Sequence, residues 1–585
     1  MRTRSMTANP SQIMVEQLAT SGVRYVFNNS GSREAAFFDA IHDNPRVHGI
    51  LALHEGSVTA MAMGYTQASL APAVMLVHLG AGLAQSLGQL INAWFGGLPV
   101  VVITFAGDTG SFADRINLDL DHSFGPTSIS APFTKASWTV IEPEGLPQAI
   151  HRALRTAVTP PAGPVHIAVY DRSLDDRPVT TDIIEGEIGN VRAGGPSEAE
   201  VDTIARVLQD AERPVLYIGD GVWKSGAGDQ VAALAQYLGA PIAGDTRSVS
   251  MKHPLHCGSL DEAVAALDPD SIACIGAPQK GSGVPQDFRP FQGATGVVAL
   301  GSAVEYTTCV PGVDLAVLAD ERQTTQRVLQ ALQNTTDPNS FAQRRAWVLE
   351  QSAALRAERG KAARGVKAGQ STVRPWRVAE YLDEALERLG GGLITTEQFS
   401  LPLSSLGGPD GAGNNVYLPP PGGSEGYGVG APIGLKLAAP DRPVVGLVGD
   451  GSLYFADSGI WTSVHHKIPV LYVVPNNQAY GIVAGYYGQA APAMSESGVY
   501  AGVALQGIDP VKIADGYGME AMRVEEESGL QDAVDYGLKT VQDEGRPFLL
   551  DIRVPLGLPA GGRPATPYHL STSTPLPSQL DSPRT

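Results

Sequence analysis

Short apolar runs alternate with helical patterns along almost the whole of this 585-residue chain, and that alternation limits the fold more than any other feature. VRYVF, APAVMLVH, PVVVITF, PVHIAVY, PVLYIGDG, VVGLVGDG, PVLYVVPNN and PFLLDIRV each read as a buried strand, being short, apolar and bounded by turn-forming residues. Strands separated by helices favour parallel sheets with covered faces, so the predicted class is α/β. Two segments interrupt the rhythm. Residues 175–200 are polar and contain Gly, Pro and Glu, and residues 334–375 carry DPNS and a basic, Ala-rich stretch. Cuts there leave three parallel-sheet units, 1–185, 195–335 and 370–555, each the size of one α/β domain. The tail, 556–585, is rich in Pro, Ser and Thr without periodicity, which predicts a loop or a disordered end, with a functional lid as the alternative.

Composition narrows the partners. Apolar residues make up 43% and charged residues 17%, the balance of a compact globular chain. A formal charge of −19 repels phosphate backbones and anionic bilayers, so neither nucleic acid nor membrane is expected as a partner. Cys257, Cys274 and Cys309 lack metal-ligand spacing, and so sparse a set suits a reducing compartment. No apolar run is long enough to cross a bilayer, and the first residues lack the apolar core of a signal peptide. A cytoplasmic location is the expectation.

The most informative stretch is GDGSLYFADSGIWTSVHHKIPVLYVVPNN, from Gly449 to Asn477. VVGLVGDG reads as a strand ending in a tight turn, and SLYFADSGIWTSVHHK as the helix that follows. Such a turn exposes N–H groups at a helix start, where a diphosphate can sit. The next strand puts Asn476 and Asn477 at its carboxyl end, beside the end of the first, on the edge where parallel sheets take ligands. Asp450 and Asn477 thus offer two hard oxygen donors to one Mg²⁺. IGDG at 218–221 also follows a strand, but Arg247 stands where an asparagine would be needed, so this second motif reads as a turn.

Gly-Asp-Gly followed at this distance by Asn-Asn resembles the motif of thiamine diphosphate enzymes of the decarboxylase/synthase type. The resemblance implies a pyrimidine-binding domain, a central domain and a diphosphate-binding domain. It also implies active sites shared between subunits of a homodimer or homotetramer. Asp450, Asn477 and the carbonyl of Ala479 would hold Mg²⁺, with Gly423, Gly449, Gly451, Ser452 and Tyr480 as further cofactor contacts. A glutamate that hydrogen-bonds the aminopyrimidine ring is also required, and ILALHEGSVTAMAMGYTQAS supplies Glu55 at a strand-to-helix junction.

Further matches point to benzoylformate decarboxylase-like enzymes. NNSGSREAAFF resembles their FGNPGSNELPF loop, which puts Ser32 at a substrate-contacting position. MLVHLGAGLAQSLGQLINAWF resembles their LHSAAG…NAW segment and puts His78 at that of an active-site histidine, a residue type suited to proton transfer near neutral pH. Three departures stand out. In GGSEGYGVGAPIGLKLAAP, Glu425 falls where the family carries a large apolar residue beneath the bent cofactor. A carboxylate there is either stabilised by the thiazolium charge or kept protonated by desolvation. A second histidine would fall at Gly283, and its absence weakens simple decarboxylation to a free aldehyde. Pro475 before the asparagines and Asn28 in place of a glycine are smaller departures.

The resulting expectation is a thiamine diphosphate-dependent carbon–carbon lyase or carboligase acting on 2-oxo acids or 2-hydroxy carbonyl compounds. Acetolactate synthase-like or 2-hydroxyacyl-CoA lyase-like chemistry is the rival, and a non-catalytic binding protein on the same fold a more distant one.

Overall fold

The computed structural model describes residues 2–107, 125–170, 174, 176–189, 191–277, 291–308, 312–364, 372–402, 413–497, 499–555 and 569–570. Gly283, Cys309 and the tail, apart from residues 569–570, lie outside the described residues. Three parallel sheets organise the chain. The first, of six strands, runs in the order His48–Leu51, Tyr25–Asn28, Ala73–Leu76, Val100–Ala106, Val165–Tyr170, Ala136–Val140. The third, also of six, runs Val416–Leu418, Leu393–Glu397, Val444–Val448, Leu471–Asn476, Phe548–Arg553, Glu520–Val524. Read in chain order, the two sheets share one connectivity. A five-stranded sheet between them in sequence runs Ile242–Gly244, Pro214–Ile218, Ser271–Ile275, Gly296–Gly301, Leu315–Leu318. The N-terminal strand Arg2–Ala8 leaves the first sheet and pairs antiparallel with Val179–Glu185, from Arg2 opposite Glu185 to Ala8 opposite Val179.

The stretch read as one helix after Gly449 is two, Asp450–Ala456 and Gly459–His465. The break sets Gly459 against Val429, where a Cβ would come within 2.9 Å of the Val429 side chain. Pro475 also finds its explanation. The Asn476 carbonyl accepts the Val554 N–H, so even-numbered residues of that strand bond toward Phe548–Arg553, and Pro475 faces Val444–Val448. Pairing on that side ends at Val473, so the N–H that proline lacks has no ladder to join.

One buried cluster runs through the first and third units, joining Ala60, Met61 and Met63 to Tyr427, Val429 and Ile433, whereas the central unit keeps a core of its own. Helices Glu55–Ser69 and Tyr427–Ala438 make that shared core by near-contact of their backbones. A Cβ on Gly64 would lie 1.9 Å from the Ala431 carbonyl oxygen, and one on Gly434 would lie 1.9 Å from that of Met61. Only glycine permits the approach. Both helices begin at the carboxyl edges of their sheets, so the crossing fixes those two edges relative to each other.

Candidate active site

Asp450 begins its helix at the end of Val444–Val448 and is buried. The backbone N–H groups of Gly451, Gln478 and Asn477 lie close enough to its carboxylate to favour its charge, so the turn after the first strand and the turn after the second face each other. Oδ2 is buried with no hydrogen-bond partner. Burial pushes the carboxyl up to about 7 against the pull of those N–H groups, and an adjacent cation would favour the ionised form. Asn477 is buried beside it, its Oδ1 accepting the Ala479 N–H at 3.0 Å and its Nδ2 reaching Ser400 Oγ at 3.4 Å. Gln478 takes a left-handed conformation, φ 58°, which turns the chain sharply after the strand. A carboxylate, an amide oxygen and the Ala479 carbonyl are hard donors of the kind Mg²⁺ takes, and the unpartnered Oδ2 fits such an ion. Among the described residues no cluster of three or more His, Cys, Asp or Glu side chains offers an alternative metal centre.

In the first unit, Glu55 opens helix Glu55–Ser69 and is buried, with the His54 ring accepting the Gly56 N–H as the cap. Glu55 and His78 converge on the start of helix Ala81–Phe95. A Cβ at Gly82 would lie 3.0 Å from Glu55 Oε1 and 3.3 Å from the His78 Cβ. His78 Nδ1 lies 3.0 Å from Glu34 Oε1, and Glu34 is wholly buried. A carboxylate only accepts, so Nδ1 carries the hydrogen and Nε2 is left as the nitrogen whose protonation can change. Ser32 opens the short turn Ser32–Glu34 and is exposed at the same edge.

The same helix reaches the third unit. Gln89 Nε2 donates to the Glu425 carbonyl at 2.6 Å. Asn92 brackets Ser424, donating to its carbonyl at 2.7 Å and accepting its N–H at 3.0 Å. Seven residues separate Gly82 from Gln89, about 10 Å along a helix, so the Glu55–His78 group and the Gly423–Gly426 loop flank one seam. Gly423 is exposed, with nothing within 4 Å of a Cβ placed there. Glu425 Oε2 accepts the Ser452 hydroxyl at 2.5 Å, which ties the loop to the turn that carries Asp450. Tyr480 lies against Gly451, and its hydroxyl is pushed up by burial and by the charges of Asp450 and Glu425. Behind the loop, Glu397 accepts N–H groups from Gly426, Tyr427 and Gly428 at 3.0, 3.0 and 2.7 Å. Burial and the charge of Glu425 push it up to about 8.

The second GDG is structural in its contacts. Asp220 pairs with Lys224 at 2.6 Å and accepts the Tyr306 hydroxyl at 3.1 Å. It borders a cavity of about 400 Å³ between the first and central units, with Gln67, Trp223, Arg247 and Glu321 among its walls. Cys257 and Cys274 are buried, and burial pushes their thiols up to about 11 and about 12, which makes them inert. Asn28, where the resembling loop has glycine, is buried and turns its amide back onto the Val26 carbonyl at 3.1 Å. Sequence reasoning passed over Glu34, Gln89, Asn92 and Glu397. Of these, Glu34 lies two residues beyond Ser32, and Gln89 and Asn92 lie in the segment whose NAW is matched, so all three fell in stretches that carried a signal; Glu397 carried none.

Comparison with known proteins agrees with this architecture. Residues 8–122, 201–327 and 412–552 match, in turn, the N-terminal TPP binding, central and C-terminal TPP binding domains of thiamine pyrophosphate enzymes. The chain belongs to the thiamine pyrophosphate enzyme family. It is 26% identical to benzoylformate decarboxylase of Pseudomonas aeruginosa over 92% of this chain and 97% of that one. Against the acetolactate synthase isozyme 3 large subunit of Escherichia coli K12 it is 22% identical, over 93% and 94%. The thiamine diphosphate-dependent 4-hydroxybenzoylformate decarboxylase of Rhodococcus jostii RHA1 shares the fold, with a TM-score of 0.76 at 23% identity over 94% of this chain and 99% of that one. Among the described residues no helix is long and apolar enough to cross a membrane.

Proposed function

We propose that this protein is a thiamine diphosphate- and Mg²⁺-dependent carbon–carbon lyase or carboligase acting on 2-oxo acids or 2-hydroxy carbonyl compounds, in the manner of benzoylformate decarboxylase-like enzymes. The observation that carries the reading is the buried Asp450 carboxylate, faced by the N–H groups of Asn477 and Gln478 and with its Oδ2 unpartnered. Asp450, Asn477 and the Ala479 carbonyl would hold the ion. The turn Gly449–Ser452, with Gly423 and Tyr480, would hold the diphosphate end of the cofactor. When bound, thiamine diphosphate supplies a carbon nucleophile and an electron sink for breaking or making a bond next to a carbonyl.

The chain's own residues do the rest. Glu55 would hydrogen-bond the aminopyrimidine ring from within a buried site, where a carboxylate–ring bond is strong. His78, oriented by Glu34, would move a proton at Nε2 to or from the substrate oxygen, and Ser32 would orient the substrate at the exposed edge. Glu425 would face the cofactor's ring from the loop. A second copy of the chain is expected to take part, as a homodimer or homotetramer.

The test is a panel of 2-oxo acids, acyloins and 2-hydroxyacyl-CoA thioesters assayed with added cofactor and Mg²⁺. Turnover of 2-oxo acids or acyloins is expected. Reaction of thioesters alone would replace this reading with the 2-hydroxyacyl-CoA lyase-like one. Condensation of two 2-oxo acids would favour a synthase, a reading that the match to acetolactate synthase over nearly the full chain supports. Failure of the protein to bind thiamine diphosphate in the presence of Mg²⁺ would remove all three.

A further inference from the structure

The strand that delivers Asn477 is held from its far side by a charged chain of contacts that the proposed chemistry does not use. Asp551 is fully buried on the neighbouring strand Phe548–Arg553. Its Oδ1 accepts Asn476 Nδ2 at 2.8 Å, and its Oδ2 accepts Arg523 Nε at 2.8 Å. Arg523 in turn pairs with Asp509. Asn476 Oδ1 then accepts the Gln478 N–H at 3.1 Å, on the turn whose N–H groups face the Asp450 carboxylate. The line ends at the Gln478 N–H, in the turn that carries Asn477.

Resting on the proposed Mg²⁺–diphosphate site, we infer that Asp551 and Asn476 are positioning residues, which hold the left-handed turn at Gln478 so that Asn477 and the Ala479 carbonyl meet the ion together with Asp450. The physical case is one of orientation. A buried amide can present either its oxygen or its nitrogen to the turn. Asp551 accepts only, so it takes the nitrogen and leaves the oxygen for Gln478. Arg523, donating from Nε to Asp551 Oδ2, fixes the carboxylate in place. Without Asp551 the Asn476 amide is free to reverse, which would set two donors, its NH₂ group and the Gln478 N–H, against each other. A non-glycine residue at positive φ persists only where its surroundings hold it. Groups behind a metal's ligands are worth about 10 to 100-fold in metal affinity.

The test is a Mg²⁺ titration of thiamine diphosphate binding, read by intrinsic fluorescence, on wild type, Asn476→Ala, Asp551→Asn and Leu549→Ala. Leu549 is a buried apolar residue two positions before Asp551 on the same strand and serves as the control for simple destabilisation. Asn476→Ala and Asp551→Asn are expected to raise the Mg²⁺ concentration for half-maximal binding about tenfold. Leu549→Ala is expected to lower the melting temperature and leave that concentration unchanged. If Asp551→Asn does not fold, Asn476→Ala, which leaves the Asp551–Arg523 pair in place, decides alone. Asn476→Ala titrating like wild type, or shifting no further than Leu549→Ala, overturns the inference. Wild type that shows no Mg²⁺-dependent binding would instead overturn the functional reading beneath it.

Discussion

Glu397 and Glu425 put two carboxyl groups next to each other at the seam, and their effects separate by environment. Glu397 is buried behind three N–H groups, and burial together with the charge of Glu425 raises it to about 8. A carboxyl whose folded value exceeds its unfolded one binds its proton more tightly when folded. Its contribution to stability is therefore complete below about pH 4.5 and is lost as pH rises through about 8, at roughly 1.4 kcal/mol per pH unit. Glu397→Gln keeps an acceptor for the Gly426 and Tyr427 N–H groups, gives up the one for Gly428, and cannot ionise. Denaturant melts of the cofactor-free protein are expected to show that loss of stability in wild type between pH 5 and about 8, and a flatter profile in the variant. Glu425 is half-buried and bonded to Ser452, where a cationic ring would be its natural neighbour. Glu425→Leu is expected to weaken thiamine diphosphate binding about tenfold at fixed Mg²⁺, a loss of about 1.4 kcal/mol. Unchanged affinity in a calorimetric titration would show that the carboxylate faces away from the ring. Glu55→Gln is expected to keep cofactor affinity within a few-fold and to cost about 10²- to 10⁴-fold in turnover, measured as steady-state kcat.

The elements that place these residues were unevenly legible from the chain. The closeness of Asp450 to Asn477 could be anticipated, because one β-α-β crossover brings the ends of adjacent parallel strands side by side whatever the side chains are. The single helix expected between them was not found, since local pattern does not reveal that Gly459 must meet Val429 across the shared core. Asp551 was illegible for a similar reason: it lies 75 residues from Asn476, and only strand order makes them neighbours. The crossing of helices Glu55–Ser69 and Tyr427–Ala438 belongs with these, because glycines in helical patterns do not announce their partners. Gly64→Ala is expected to force the helices apart and cost about 1 to 3 kcal/mol in a denaturant melt, the usual range for overpacking. The same variant is expected to weaken cofactor binding, because the crossing sets the first sheet's edge against the third's. Loss of stability without loss of binding would separate the two effects.

At the scale of the molecule, the first and third sheets share one connectivity and one core, and their helix starts face a common seam, while the central unit folds around its own cluster. A seam of this kind can be completed in two ways: by the two units of a single chain, or by units of two chains related by a twofold axis. The choice has a direct consequence for paired inactive variants. Glu55→Gln disables the first unit's contribution and Asp450→Ala the third's, and each variant alone is expected to be inactive. If sites form between chains, a mixed dimer of one Glu55→Gln chain and one Asp450→Ala chain contains one site with both defects and one with neither. The mixed dimer, with one intact site of two, would then have up to about half of wild-type activity. Co-expressing the two chains with different affinity tags, isolating the doubly tagged species and assaying it measures that fraction directly. If each chain completes its own site, every site in the mixture keeps one defect, and activity stays at the level of the separate variants.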